Sequence, residues 1–318
     1  MLLTDEQIAS ASAYNKKEYD AGRLTDEHLA IAVAAFQQAN GLTVDGKAGP
    51  NTRAALEAAN AGEPADPVSP GLPVGKGMFV RSLTHTGEPQ ECVAHMQEHG
   101  LTWICVWAIW QYDDKDSQIV NRSRMAEYAK AVHDAGFGFW VWGYPQPGKE
   151  AEFRDVIFEA ADNANAEGVV IDPEKPYIGT EGAGMALMNA LMPGCVERKI
   201  LLGFTSYGSP WYFKTFPWDE FRSAHFAINQ SYDADNNLPP EYPAQSQAAY
   251  KDLGFKVIIP GGGCYRKSEQ DLRDLNNNTP TEQSAMIWWD WINATNDNLW
   301  GPIKEFVPGR CRETPDPS

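Results

Sequence analysis

Basic residues are the scarce class in this sequence: 26 Lys and Arg stand against 43 Asp and Glu, a net charge of −17. A chain this acidic is repelled by phosphate backbones and by anionic lipid, which argues against a nucleic-acid partner and against electrostatic membrane binding. Long apolar runs are missing as well. None approaches the roughly 20 residues of a membrane span, so no membrane insertion is expected. Met1-Leu2-Leu3-Thr4-Asp5-Glu6 turns acidic before an apolar segment can form, so a secretory signal is not expected either. The five cysteines (Cys92, Cys105, Cys195, Cys264, Cys311) are odd in number, scattered and without a CxxC spacing, which reads as reduced thiols of a cytosolic product. The six histidines contain no HExxH. His95 and His99 share a helix face at i, i+4 with no evident third ligand, so neither a metal nor a cofactor is expected.

What the chain does have is apolar and aromatic content: 43% hydrophobic residues, including 11 Trp, 12 Tyr and 13 Phe, ample for a sizeable core. A seam divides it. Residues 61–75 (AGEPADPVSPGLPVG) carry four prolines and little to bury, the composition of a semi-extended linker. Residues 1–60 before it read as a compact three-helix unit. Thr4 with Gln7 forms a capping-box pattern, Leu29, Val33 and Phe36 recur at helical spacing before Gly41, and Pro50 suits the first turn of a third helix.

In residues 76–318, short apolar strands alternate with amphipathic helices. Strands are predicted at 77–82, 102–109, 137–143, 167–172, 199–206, 223–230, 255–260 and 285–290. Helical patterns fall between them, as over 121–135 and 149–165. Eight strands at roughly 30-residue spacing predict an α/β fold, a (β/α)8 TIM-like barrel. The alternative, a doubly wound open sheet, would want a glycine-rich phosphate loop after an early strand, where this chain has Leu83-Thr84-His85-Thr86-Gly87.

A barrel carries its active site at the carboxyl ends of its strands. Collected there are Trp107, Trp110, Gln111 and Tyr112; Trp142 and Tyr144; Asp172 and Glu174; Ser206 and Tyr207; Gln230, Tyr232 and Asp233; and Trp289, Asp290 and Trp291. Carboxylates among flat rings suit a sugar, whose apolar faces stack while its hydroxyl and acetamido groups take hydrogen bonds. From this set Trp107, Trp142, Tyr144, Tyr207, Gln230, Asp233 and Trp289 are expected to bind substrate. Gly168-Val169-Val170-Ile171-Asp172-Pro173-Glu174 ends the fourth strand with two carboxylates about 6.6 Å apart by strand rise and on one side. Each can raise the other's pKa, so that one keeps the proton a general acid needs.

Two resemblances give this pattern a context. Phe36-Gln37, Gly41-Leu42, Val44-Asp45-Gly46, Gly49, Thr52 and Ala55-Leu56 fall in the register of the peptidoglycan-binding domain type 1 family, which implies that bacterial peptidoglycan is the partner; the spacing itself shows only a small helical fold. GVVIDPE resembles the Asp-x-Glu motif at the fourth strand of family-25 glycoside hydrolases, lysozymes that cut between N-acetylmuramic acid and N-acetylglucosamine. Glu174, one methylene longer and further out on the loop, is expected to be the general acid, with Asp172 behind it as its partner. One departure stands out: the family's first strand usually carries an Asp, whereas here Phe79 occupies that region with Arg81 after it, leaving Asp290 or Asp233 to supply any third catalytic carboxylate. Two carboxylates on one strand favour participation by the substrate's own 2-acetamido group.

The whole resembles a bacteriophage endolysin, a monomer made in the host cytoplasm and released through the action of a separate holin. A non-catalytic wall-binding protein with an inactive barrel, and another hexosaminidase of chitinase type, remain open.

Overall fold

The computed structural model describes residues 3–21, 30, 33–34, 37, 42–53, 71–112, 117–232, 238–281 and 285–308. In the N-terminal region the first helix, Asp5–Asp20, is capped as its sequence predicts: the Thr4 hydroxyl accepts from Gln7 N–H while the Gln7 side chain accepts from Thr4 N–H at 2.8 Å. Asn15, buried on this helix, donates to the Gly46 carbonyl and accepts from Ala48 N–H, which fastens the Val44-Asp45-Gly46 turn. The expected second helix falls largely outside the described residues, and so do Phe36, Gly41 and the linker up to residue 70.

From Gly75 the chain forms the barrel. Its strands are β1 (Gly75–Val80), β2 (Leu101–Trp110), β4 (Gly138–Tyr144), β5 (Gly168–Ile171), β6 (Leu201–Tyr207), β7 (Phe226–Gln230), β8 (Ile258–Gly263) and β9 (Ala285–Trp289). Each pairs in parallel with its neighbours, and β1 closes the ring against both β2 and β9. All eight predicted strands are present, displaced by at most three residues at their starts and ends. A ninth, β3 (Gln118–Ile119), pairs antiparallel with the end of β2; two residues are too short a run to show a period in sequence.

Helices Pro89–His99, Met125–Asp134, Glu150–Ala164, Ala183–Arg198, Tyr242–Asp252 and Glu269–Asn278 follow β1, β2, β4, β5, β7 and β8 and bury their apolar faces against the outside of the barrel, while a 3-10 turn, Trp218–Phe221, takes that place after β6. A separate cluster fills the lumen with Phe79, Trp103, Cys105, Trp140, Trp142, Val170, Phe226, Ile228, Ile259, Ala285 and Ile287. Large rings need small neighbours in so narrow a space. A Cβ on Gly77 would lie 2.3 Å from the Trp103 ring, and one on Gly168 would lie 2.2 Å from that of Trp140. Among the described residues Cys92, Cys105, Cys195 and Cys264 are free and buried, and burial raises the pKa of each thiol. No described helix is long and apolar enough to cross a membrane, and no metal-ligand cluster occurs among the described residues.

Candidate active site

Alternation along each strand carries the inward face of the lumen up to the barrel mouth. Two residues beyond Val170 stands Asp172; beyond Ile228, Gln230; beyond Cys105, Trp107; beyond Trp142, Tyr144; beyond Ile287, Trp289; and beyond Phe79, Arg81. Parity alone therefore gathers most of the expected site residues at one end.

Asp172 is 7% exposed, and its N–H donates to the Gly143 carbonyl at 2.9 Å, tying the end of β5 to β4. Gln230 Nε2 donates to Asp172 Oδ1 at 3.0 Å, and the same side chain is near enough to Glu174 to pull its pKa down. One amide thus acts on both carboxylates. Glu174 leaves the strand conformation at φ −132° and ψ −127° and caps a 3-10 turn, Lys175–Tyr177. The bend is held from below, since Ser206 Oγ donates to the Pro173 carbonyl at 2.7 Å and Tyr250 donates to the Ser206 and Tyr207 carbonyls at 3.0 and 2.9 Å.

Burial pushes Asp172 well above the usual carboxylate range, the neighbouring Glu174 charge pushes it further, and Gln230 opposes both. Burial also raises Glu174, again against the pull of Gln230. A pair in this state retains a proton at a pH where exposed carboxylates have lost theirs, which equips it for general acid catalysis. Tyr207 and Tyr232 line the same space: both phenols are raised by burial and by the charges of Asp172 and Glu174, and so remain neutral donors.

The aromatic residues form a floor and a wall. Trp142, 1% exposed, stacks with Trp107 at 5.5 Å and 12°, and meets Trp289 edge-on at 5.3 Å. Phe79 packs against Trp142 and Trp289 at 5.8 and 5.5 Å. Trp107 and Trp289 remain partly exposed, whereas the buried Nε1 atoms of Trp107 and Trp142 have no protein acceptor. Tyr144 joins a different stack, with Trp110 at 4.8 Å. Gln111, in the rim inventory, turns out to brace the loop after β4 by donating to the Lys149 carbonyl and accepting from Gln146 N–H.

Asp290 is completely buried. It caps the helix Trp291–Asn296 by accepting from Asn293 N–H at 3.3 Å, and it accepts from Arg81 Nε at 2.5 Å. Burial raises its pKa while Arg81 pulls it back. The carboxylate sought on the first strand is thus met by a cation there, paired with the acid that closes the eighth barrel strand. Asp233 lies outside the described residues. Two contributors went unassigned in sequence. They are Arg81, whose sequence context marks only a departure from the Asp-bearing first strand, and Asn121. Asn121, at φ 59°, donates to the Arg81 and Trp107 carbonyls at 3.1 and 2.8 Å and accepts from Leu83 N–H at 2.9 Å, joining β1 to β2. Its tolerance of the left-handed conformation was the only available cue.

Residues 14–56 match the family described as "Putative peptidoglycan binding domain". No curated protein sequence matches the chain. The barrel is similar to solved structures at low identity. The GH18 chitinase ChiB of Flavobacterium johnsoniae matches with TM-score 0.53 and 10% identity over 73% of this chain and 93% of that one. The chitinase RmChi1 of Rhizomucor miehei matches with TM-score 0.53 and 13% identity over 72% and 99%. The xylanase and alpha-amylase inhibitor protein XAIP-II of Scadoxus multiflorus matches with TM-score 0.53 and 8% identity over 74% and 99%. Enzymes and an inhibitor share this fold, so function has to be argued from the site.

Proposed function

We propose that the chain is a peptidoglycan hydrolase of the glycosidase class, cutting the glycan strand between N-acetylmuramic acid and N-acetylglucosamine. The observation that carries this reading is the Asp172–Gln230–Glu174 arrangement, two desolvated carboxyls under the influence of one amide. The peptidoglycan-binding domain supplies the polymer.

Glu174, the less buried of the two, gives its proton to the glycosidic oxygen as the bond to the anomeric carbon breaks. Both carboxyls approach from one side, which suits neither an opposed nucleophile nor an opposed base. The 2-acetamido oxygen then forms the new bond to the anomeric carbon, with Asp172 orienting the acetamido N–H and balancing the developing positive charge. Water, deprotonated by Glu174, opens the cyclic intermediate and restores the acid. The partly exposed rings of Trp289 and Trp107 would offer the sugar its stacking face, backed by the buried Trp142. Tyr207 and Tyr232, both held neutral, would donate to the acetamido oxygen. Release by a separate holin, followed by action on the wall, fits this reading.

The test is clearing of purified peptidoglycan with mass analysis of the fragments. New reducing muramic acid ends are expected, and Glu174→Gln should lower the rate by about 10²–10⁴. Reducing N-acetylglucosamine ends would move the cut to the other glycosidic bond. Cleavage of chitin oligomers alone would favour a chitinase-type hexosaminidase, the activity named for two of the similar structures. Binding without cleavage would make the barrel a non-catalytic one.

A further inference from the structure

The mouth of the barrel holds a cation that the reaction above does not use. Arg81 follows β1, and its side chain is 38% exposed although its partner Asp290 is 0% exposed. The pair is therefore oriented, with the anion inside and the guanidinium facing outward. Asp290 takes the Nε and Nη2 edge, at 2.5 and 3.5 Å. A guanidinium has five N–H donors, so donors on Nη1 and Nη2 remain for a second acceptor. The planar fork matches a carboxylate better than any other side chain does. Its carbon lies 5.7 Å from the Trp289 ring, the same ring that packs on Phe79 and Trp142, so the charge sits beside the sugar platform.

Next to Arg81 opens a cleft of about 380 Å³ between the ends of β1 and β2, lined by Arg81, Ser82, Thr84, Trp107, Gln118 and Asn121. Leu83, Val120 and Trp107 add an apolar wall to it, against which the carbon skeleton of a substituent can pack while Arg81 takes its charge. Asn121 holds the backbone of both Arg81 and Trp107, so the cation and the ring on either side of the cleft are fixed relative to each other. The other arginine at the cleft, Arg124, is already committed to Glu88 and Glu127, which among the described residues of its lining leaves Arg81 as the cation that serves it. In a chain with a net charge of −17, long-range attraction for an anionic sugar is absent, and a short-range cation has to provide it.

We infer that this cleft is a subsite for a carboxylate carried on the 3-substituent of an amino sugar, so that the barrel selects muramic acid units over plain N-acetylglucosamine. The inference rests on the peptidoglycan reading above and specifies where its selectivity is located. Asp290 acts here as a positioning residue that orients the Arg81 fork.

A binding experiment separates this from catalysis. The full-length Glu174→Gln chain is titrated calorimetrically with a disaccharide of N-acetylglucosamine and N-acetylmuramic acid bearing a free lactyl carboxylate, with the same disaccharide carrying a stem peptide, and with chitobiose. At least tenfold tighter binding of an acid-bearing sugar than of chitobiose is expected, and the two acid-bearing ligands tell which carboxylate is read. Because Arg81→Gln alone strands a buried Asp290, the comparison variant is Arg81→Gln with Asp290→Asn, its fold checked by circular dichroism. In it the preference should fall below twofold. If the double variant does not fold, Arg81→Lys, which keeps the charge and loses the fork, should reduce the preference at least threefold. Equal affinity for all three ligands, no affinity for any, or a preference that survives these substitutions overturns the inference. Wall clearing by the wild-type chain, measured separately, would still stand.

Discussion

Gln37 and Gln230 are both glutamines set among polar acceptors, and they do opposite things. Gln37, 2% exposed in the N-terminal region, uses both ends of its amide. Its Oε1 accepts from Asp45 and Gly46 N–H, and its Nε2 lies within 3.0 Å of Asp45, the Lys47 carbonyl and Thr52. Its partners are backbone groups, a hydroxyl and an exposed Asp, so the result is a closed turn with its hydrogen bonds made. Gln230 turns its amide to two carboxyls that are themselves starved of water, and one amide cannot compensate two desolvated anions. Where the acceptors are satisfied, the glutamine stabilises. Where they are buried acids, the deficit that remains is what keeps a proton in place.

The sharpest way to break the comparison is to remove the acid that Gln230 leaves protonated. Glu174→Gln should produce the largest effect, the 10²–10⁴ loss of clearing rate already given, with wall binding intact. Gln37→Ala comes next: it deletes the hub of the small domain's turn and should cost about 3 kcal/mol there. Sedimentation with peptidoglycan should show lost binding while the thermal transition of the barrel stays in place. Gln230→Leu should lower the clearing rate by roughly 10–100-fold. Since Gln230 pulls both carboxyl pKa values down, its loss lets them rise further, and the alkaline limb of the pH–rate profile should move to higher pH. A limb that stays put would show that Gln230 does not control the proton.

Two smaller effects concern stability. Asp172 is raised in the fold above its ordinary 3.8, so the folded state takes up a proton that the unfolded chain releases. Stability on its account grows as pH falls from the raised value toward 3.8 and is lower at neutrality. Asp172→Asn, which can still accept from Gln230, should therefore raise the barrel's melting temperature at pH 7 by roughly 2–4 °C while impairing lysis. His95 runs the other way. Packed against His99, Trp291 and Trp300, it is lowered from 6.5 to about 4 by burial first and by the charge of His99 second, with Glu98 opposing. Its contribution is complete above pH 6.5 and is lost as pH falls from there toward 4. His95→Phe should flatten the decline in melting temperature over that window, read by differential scanning calorimetry at pH 7, 5.5 and 4.

Much of the barrel could be read from single segments, because a buried parallel strand is a continuous apolar run whatever it pairs with. GVVI of β5 and AMIWW of β9 are legible for that reason, and once parity is applied so are Asp172, Gln230 and Trp289. The roles of residues within the rim were less legible. Gln111 and Tyr144 have the same composition signal as Gln230 and Tyr207, yet Gln111 braces a loop and Tyr144 stacks on Trp110. Nothing within a segment distinguishes a side chain that meets a carboxylate from one that meets a carbonyl.

By itself, the sequence determined the eight-strand repeat and the place of Asp172 and Glu174 at a strand end, because each depends on contacts or periodicities a few residues long. Only the tertiary structure decided what stands beside them. Arg81 and Asp290 are 209 positions apart and meet because β9 closes on β1, and Gln230 reaches Asp172 across 58 residues because β5 and β7 face one lumen. The missing first-strand carboxylate, an absence in the sequence, is in the folded chain a salt bridge. Ring closure brings a cation to the site from the first strand of the barrel and its counter-ion from the last.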